Sequence, residues 1–278
     1  MPELPEVETI RRDLDREVGG RKIKSVEVKR MKTIHRHANK KSFIASLEDA
    51  KIKSVARTGK WLRFVLDNGN VLVCHLGMSG RLLRAQNKDD VLKHTHVIIQ
   101  FTQGGQLRFV DPRGFGEMFV TAPDELANAL PELAALGLDA IEEPISWTEF
   151  GGMLHSRKVK LKTLLMDQKF LAGLGNIYSD EILFQSGLRY DRSSDSLTPQ
   201  EVRRLYRAVV ETLHDAMKYR GSTLDDGSYT DIFGAPGSYQ EHHQVYDREG
   251  DACPRCRTPI VKSRISNRST FYCAQCQV

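Results

Sequence analysis

The sequence predicts an α+β protein in which an N-terminal helix and a β-sandwich precede a helical domain that ends in a metal-stapled β-hairpin. Three observations carry that prediction. Short apolar runs separated by Gly, Asn and Asp turn signals fill the first half, as in a sandwich. Apolar residues recur at helical spacing through much of the second half. Near the end, Cys253-Pro-Arg-Cys256 and Cys273-Ala-Gln-Cys276 form two C-x2-C motifs at the separation of a zinc site.

The first element is a helix over 5–18, because Val7, Ile10, Leu14 and Val18 share one face and Gly19-Gly20 stops it. Strand-like stretches follow at 22–29 and 52–56. Trp61–Leu66 and Val71–His75 flank the turn Asp67-Asn-Gly-Asn70 as a hairpin, and a second runs from His96–Phe101 through Gly104-Gly105 to Gln106–Val110. Residues 124–135 read as helical and Gly137 to Pro144 as linker. Ser146 with Glu149, and Thr198 with Glu201, are capping boxes opening helices; the second places Val202, Leu205, Val209, Leu213 and Met217 on one face. Leu161–Asp167 and Ile177–Gln185 are further helical segments around Gly173-Leu-Gly-Asn176. The stretch from Gly221 to Tyr239 reads as a long polar loop, functional or disordered. The expected domains are 1–135, 136–240 and 241–278.

A chain of 278 residues that is 40% hydrophobic suffices for two domains and a sizeable core. No apolar run approaches the ~18 residues of a membrane span, and the acidic start lacks the features of a signal peptide, so a soluble cytosolic protein without a membrane partner is expected. A net charge of +5 permits a polyanionic partner. Four of the five cysteines suit one tetrahedral, structural zinc ion, and Cys74 falls in an apolar strand as a core residue. Between the metal-binding pairs, two short strands flank a basic turn. Lys262, Arg264 and Arg268 there suit phosphate contact or an ordinary solvated face, and both readings stand.

Pro2 offers a distinct chemistry if Met1 is removed. An α-amino group titrates near ~8 against ~10.4 for lysine, so far more of it is unprotonated at neutral pH. A secondary amine attacking a sugar carbon gives a cationic iminium that acts as an electron sink, and Glu3 and Glu6 are placed to move protons. The alternative is a loose terminus with Pro5 starting a helix. Gly173-Leu-Gly-Asn176 ahead of a helix is either a phosphate clamp or a tight turn. Arg57-Thr-Gly-Lys60, His75-Leu-Gly-Met78-Ser-Gly and Asp111-Pro-Arg113-Gly-Phe115-Gly place basic, aromatic and sulfur side chains beside glycines, which suits loop tips.

Taken together, PELPEVET at the start, GK at 59–60, HLGMSG, DPRGFG, LMDQKFLAGLGNIYSDE and the C-terminal zinc finger resemble the bacterial formamidopyrimidine-DNA glycosylase family in content and order, through the whole chain. Leu4 stands where the related endonuclease VIII branch starts with glycine. The resemblance implies a β-sandwich domain, a helix–two-turn–helix domain and a zinc-finger hairpin, and a monomer acting on double-stranded DNA in the bacterial cytosol. It implies removal of oxidised purines followed by strand cleavage through β- and δ-elimination. Carried over by position, the nucleophile falls on Pro2 and the general acid/base on Glu3. Lys60, grouped with these as catalytic, falls with His75, Asn176 and Arg268 on residues that grip phosphates. Met78, Arg113 and Phe115 fall on the triad that fills the void left by an everted base, and Lys158 is a further DNA-binding position. Glu6 and Glu181 match acidic positions with a supporting electrostatic role. Gly114 stands where many members carry a second basic residue. The loop at 221–239, which caps the everted base in the family, carries Asp225, Asp226 and Asp231 where relatives often have basic or neutral residues. The competing expectations are an endonuclease VIII-like enzyme for oxidised pyrimidines and a non-catalytic zinc-stabilised DNA binder; Pro2, Glu3 and Lys60 argue against the second.

Overall fold

The computed structural model describes all 278 residues, and their contacts divide the chain into two units, Met1–Ala134 with Tyr219–Ser238 and Ala135–Lys218 with Tyr239–Val278. The first unit opens on helix α1 (Leu4–Val18), strand β1 (Ile23–Val28) and a short helix α2 (Lys40–Ala45). Strands β2 (Ile52–Thr58), β3 (Trp61–Leu66), β4 (Val71–His75), β5 (Arg81–Ala85), β6 (Thr95–Phe101), β7 (Gln106–Val110) and β8 (Glu117–Thr121) follow. Two single turns of helix come next, α3 (Leu126–Ala129) and α4 (Pro131–Ala134). The strands form two four-stranded sheets, ordered β1-β6-β7-β5 and β2-β3-β4-β8, with antiparallel neighbours throughout.

Alternation along the strands builds the sandwich. Leu62, Phe64 and Leu66 of β3 join Val97, Ile99 and Phe101 of β6 in one buried cluster, to which α1 adds Val7, Ile10, Leu14 and Val18. Each such side chain contributes roughly 1.5–3 kcal/mol when fully buried. β4 is buried on both faces: Leu72 and Cys74 face that core, whereas Val71 and Val73 pack with Phe119 and Leu130 in a second cluster.

Three features depart from the sequence reading. Residues 124–135 form two single turns, because Pro131 removes a backbone donor and cannot continue the helix begun at Leu126. Strands β5 and β8 follow directly on glycine-rich loops and lack clean alternation. The stretch from 221 to 239, expected as a polar loop, is woven into the first unit as far as Ser238, with Tyr229 and Ile232 in the sandwich core. Arg220 bridges Asp13 and Asp231, the Ser222 N–H donates to Glu6 Oε1 at 2.8 Å, and the Arg84 N–H donates to the Ile232 carbonyl at 2.7 Å. Asp231 is therefore a buried anchor: its Oδ1 also accepts the N–H groups of Phe233 and Ala235. Asp225 and Asp226 are exposed.

The second unit contains α5 (Trp147–His155), α6 (Leu161–Leu165), α7 (Asn176–Ser186), α8 (Pro199–Lys218) and the hairpin β9 (Val261–Ile265) and β10 (Arg268–Tyr272). The expected apolar face of α8 is buried, and Thr198 and Glu201 cap it reciprocally. α6 and α7 are separated by consecutive turns over 167–173. No helix is long and apolar enough to cross a membrane.

The hairpin docks on α7 through one buried carboxylate. Asp180 accepts from Lys162 Nζ at 2.7 Å, Thr270 Oγ1 at 2.6 Å and the Phe271 N–H at 3.0 Å. Lys162 also donates to the Ser269 carbonyl at 3.1 Å. Breaking such a buried pair on one side strands the other charge, at a cost of about 3–5 kcal/mol. Lys162→Met should therefore lower the thermal unfolding midpoint by several degrees and raise amide exchange in β10; a midpoint within a degree of wild type would remove Asp180 from this role.

Candidate nucleic-acid interface and zinc centre

At the start of α1, Glu3 is the N-cap. Its carboxylate accepts the Glu6 N–H, while its own N–H donates to Glu6 Oε2 at 2.8 Å. This reciprocal box fixes both carboxylates at the helix terminus. Pro2 and Glu3 are buried, whereas Met1 is exposed. From the sequence, Glu3 and Glu6 were read only as groups placed to move protons; the box they form was missed, because glutamate at the N-cap lies outside the usual Ser, Thr, Asp or Asn signature.

Lys60 ends the tight β2–β3 turn and is buried. The turn is held from beneath by Arg57, whose Nη1 donates to the Gly59 carbonyl at 3.0 Å and whose Nε donates to Glu8 at 3.1 Å. Burial alone would raise the Glu8 carboxyl, but hydrogen bonds from Arg11 and Arg12 and the charges of Arg11 and Arg57 outweigh it and hold it below the usual range. Glu8 and Arg57 thus position Lys60, a role unseen in the sequence because it joins residues 49 apart. Trp61 pairs in register with His75, so Lys60 and His75 stand at one end of the sheet.

His75 is neutral at physiological pH. Burial pushes its imidazole down to about 4, helped by the Lys60 charge and opposed by Glu117. Its Nδ1 accepts the Gly77 N–H at 3.2 Å, so the proton resides on Nε2, leaving that atom as a donor. The unfolded imidazole protonates near 6.5 and the folded one near 4. The unfolded state therefore binds more protons in that window, and stability falls as pH drops through it. His75→Gln should flatten the dependence of the thermal midpoint on pH between about 6.5 and 4; an unchanged slope would contradict the burial argument.

Met78, Arg113 and Phe115 lie on two adjoining loops clasped by Asp111, which is fully buried. Its Oδ1 accepts from Ser79 Oγ at 2.7 Å and its Oδ2 accepts the Gly116 N–H at 2.8 Å. Ser79 Oγ in turn accepts the Arg113 N–H at 3.1 Å. The loops touch so closely that a Cβ on Gly77 would come within 2.6 Å of the Phe115 carbonyl carbon. Met78 is 38% and Phe115 58% exposed, and Arg113 is exposed. The clasp thus holds two apolar side chains and a cation facing solvent on a rigid backbone, and exposed apolar groups of this kind mark interaction surfaces. Asp111 and Ser79 were missed as positioning residues, although both lie inside the motifs that pointed to the loops.

In the second unit, Asn176 is the first residue of α7, at the helix end where the peptide dipoles place their positive pole. Its side-chain Oδ1 is buried with no hydrogen-bond partner. An amide rotated about its terminal bond presents donors at the same place. Gln168 holds the preceding turn, donating to the Leu174 carbonyl at 2.7 Å and accepting the Gly173 N–H at 2.9 Å. Arg268 opens β10 and is exposed, as is Lys158 in the segment before α6. Asp180, one turn along α7 from Asn176, binds β10 directly, so the elements bearing Asn176 and Arg268 form one frame. Glu181 is buried and accepts the N–H groups of Gln244, Val245 and Tyr246 at 2.8–3.0 Å. It is a backbone anchor for the approach to the hairpin.

The thiol sulfurs of Cys253, Cys256, Cys273 and Cys276 all lie within 4.8 Å of one another, with Cys256–Cys273 at 3.4 Å and Cys253–Cys276 at 3.9 Å. Tetrahedral Zn–S bonds of ~2.3 Å require sulfur separations of ~3.8 Å, so the four side chains fit one zinc ion. N–H groups of Arg255 and Cys276 point at Cys253 and Cys273 sulfur, as thiolates require. The closed set of four protein ligands makes this a structural centre. Metal analysis should find one zinc per chain, and Cys276→Ala should lose it together with hairpin protection from proteolysis; full protection without metal would overturn the coupling.

Comparison with known proteins gives this arrangement its context. Family models described as "Formamidopyrimidine-DNA glycosylase N-terminal domain", "Formamidopyrimidine-DNA glycosylase H2TH domain" and "Zinc finger found in FPG and IleRS" match residues 1–118, 136–228 and 250–278. A formamidopyrimidine-DNA glycosylase of Pelotomaculum thermopropionicum is 42% identical over 277 residues, covering 100% of this chain and 99% of the relative. One from Desulfitobacterium hafniense is 36% identical over the full length of both. Among solved structures, the MutM (FPG) protein of Thermus thermophilus superposes with a TM-score of 0.88 at 39% identity, covering 99% of this chain and 98% of that one. The Lactococcus lactis Fpg complex with an abasic site containing DNA gives 0.90 at 30% identity, covering 99% of each chain. Fold, loops and zinc centre together are those of a zinc-finger DNA glycosylase of base-excision repair. Within that class, the chain belongs to the formamidopyrimidine-DNA glycosylase family.

Proposed function

We propose that this protein is a bifunctional glycosylase and abasic-site lyase that removes oxidised purines, 8-oxoguanine and formamidopyrimidines, from duplex DNA. The observation that carries the reading is the buried Pro2–Glu3 pair locked at the start of α1 by the Glu3–Glu6 box, in the same unit as the exposed Met78, Arg113 and Phe115. Insertion of these three side chains holds open the step from which the damaged nucleotide is rotated, at a cost of a few kcal/mol in lost stacking. Arg113 suits the orphaned cytosine because its fork donates to the acceptors on that base edge. Lys60, His75, Asn176, Arg268 and Lys158 supply phosphate contacts. The relatives named above are bacterial, which fits action in a bacterial cytosol, and a monomer suffices because one chain carries every group invoked.

The chemistry follows from the secondary amine. With Met1 removed, the Pro2 nitrogen attacks C1′ and displaces the base, while Glu3 assists proton transfer at the sugar. Ring opening leaves a cationic iminium between Pro2 and C1′, which acidifies C2′. Loss of a C2′ proton expels the 3′ phosphate, and a second elimination expels the 5′ phosphate. Hydrolysis frees Pro2 and leaves a one-nucleotide gap bounded by phosphates. Zinc holds the hairpin that presents Arg268.

Borohydride trapping on duplexes carrying 8-oxoguanine opposite cytosine, followed by peptide mapping, tests the proposal. The expected crosslink is on Pro2, with Pro2→Gly impaired in strand cleavage and a Met1-retaining form unable to form the adduct. A crosslink on an internal lysine, or an unimpaired Met1-retaining form, overturns the mechanism; faster incision at thymine glycol overturns the substrate.

A further inference from the structure

The segment after β1 carries two cations alongside the Asp111–Gly116 loop. Gly114 has φ +67° and no side chain, and a Cβ there would collide with Arg30 Nη1 and come within 2.9 Å of its Cζ. The Arg30 guanidinium therefore lies directly against the backbone between Arg113 and Phe115. Lys32 Nζ is 5.9 Å from the centroid of the Phe115 ring, and Arg113 Cζ is 5.5 Å from it.

None of these three cations has a carboxylate within ion-pairing distance. His96 Nε2 lies 3.5 Å from Arg30 Nη1, but the same nitrogen is 2.8 Å from the Asp111 carbonyl oxygen. A carbonyl only accepts, so that nitrogen carries the hydrogen and offers Arg30 no lone pair. Arg36, a few residues on, shows the contrast: it forms a two-armed pair with Glu117 at 2.8 and 3.2 Å. Cations grouped without counter-charge repel one another, and such a group is suited to an anion arriving from outside.

We propose that Arg30, assisted by Lys32, is a phosphodiester-binding residue of the DNA interface, gripping the backbone beside the step that Phe115 enters. The inference rests on the reading of that loop as the inserted element. Arginine suits the task because its planar fork takes two phosphate oxygens at once. The contact comes from a different segment of chain than the loop it serves, so Gly114 is left free to hold the backbone bend.

The test is duplex binding across a salt series for wild type, Arg30→Gln, Arg30→Lys and Lys22→Gln. Lys22→Gln removes an equal charge just ahead of β1, at the strand end opposite Arg30. One lost phosphate contact lowers the slope of log K against log salt by about 0.9, so Arg30→Gln and wild type should converge by roughly threefold between 50 and 200 mM salt. Arg30→Lys should keep most of the slope, and Lys22→Gln all of it. Weaker binding by Arg30→Gln at unchanged slope would make Arg30 a packing residue and overturn the inference, as would an equal loss of slope in Lys22→Gln. A wild type without salt-dependent affinity would instead sink the reading of the loop as a DNA-inserting element.

Discussion

A buried carboxylate must find donors, and in this protein most of those donors are backbone N–H groups of loops and element ends. Glu6 takes the Glu3 and Ser222 amides, Asp111 takes Gly116 and the Ser79 hydroxyl, Asp180 takes Phe271, and Glu181 takes three consecutive amides. Desolvating a charge is expensive unless its hydrogen bonds are complete, so each carboxylate tolerates one arrangement of the backbone around it. Rigidity is thereby delivered to loops, where apolar packing alone is thin.

This division of labour explains how an apolar ring can face water without collapsing. Phe115 is 58% exposed, and a free loop would fold such a ring onto the nearest apolar surface. The Asp111 clasp and the close passage at Gly77 deny the backbone that freedom. The unfavourable exposure is offset elsewhere, by a sandwich core to which both sheets, α1 and the 219–238 segment all contribute.

Much of this was legible in the sequence where local periodicity decides the outcome. α1, the two hairpins of the sandwich and the buried face of α8 follow from spacing alone, and the four cysteines announce their centre by separation. The remainder depends on contacts between residues distant in the chain. Nothing local marks Arg57 as the support of Lys60 through Glu8, or Lys162 as the partner of Asp180. The polar composition of 221–239 suggests a solvated loop because Tyr229 and Ile232 are few, yet those two side chains and the ion pairs of Asp231 are enough to anchor it. Pro131 is visible as a helix breaker, but the apolar residues around it argue the other way.

The anchoring of that segment has a consequence of its own. Thr223 Oγ1 donates to the Tyr229 carbonyl at 3.0 Å, closing the intervening residues into a small lariat whose neck is tied to Asp13 and Glu6 through Arg220 and Ser222. Changes of length or composition within the noose need not propagate past the knot. The noose can therefore vary while the Glu3–Glu6 box at the start of α1, to which its neck is tied through Ser222, keeps its position.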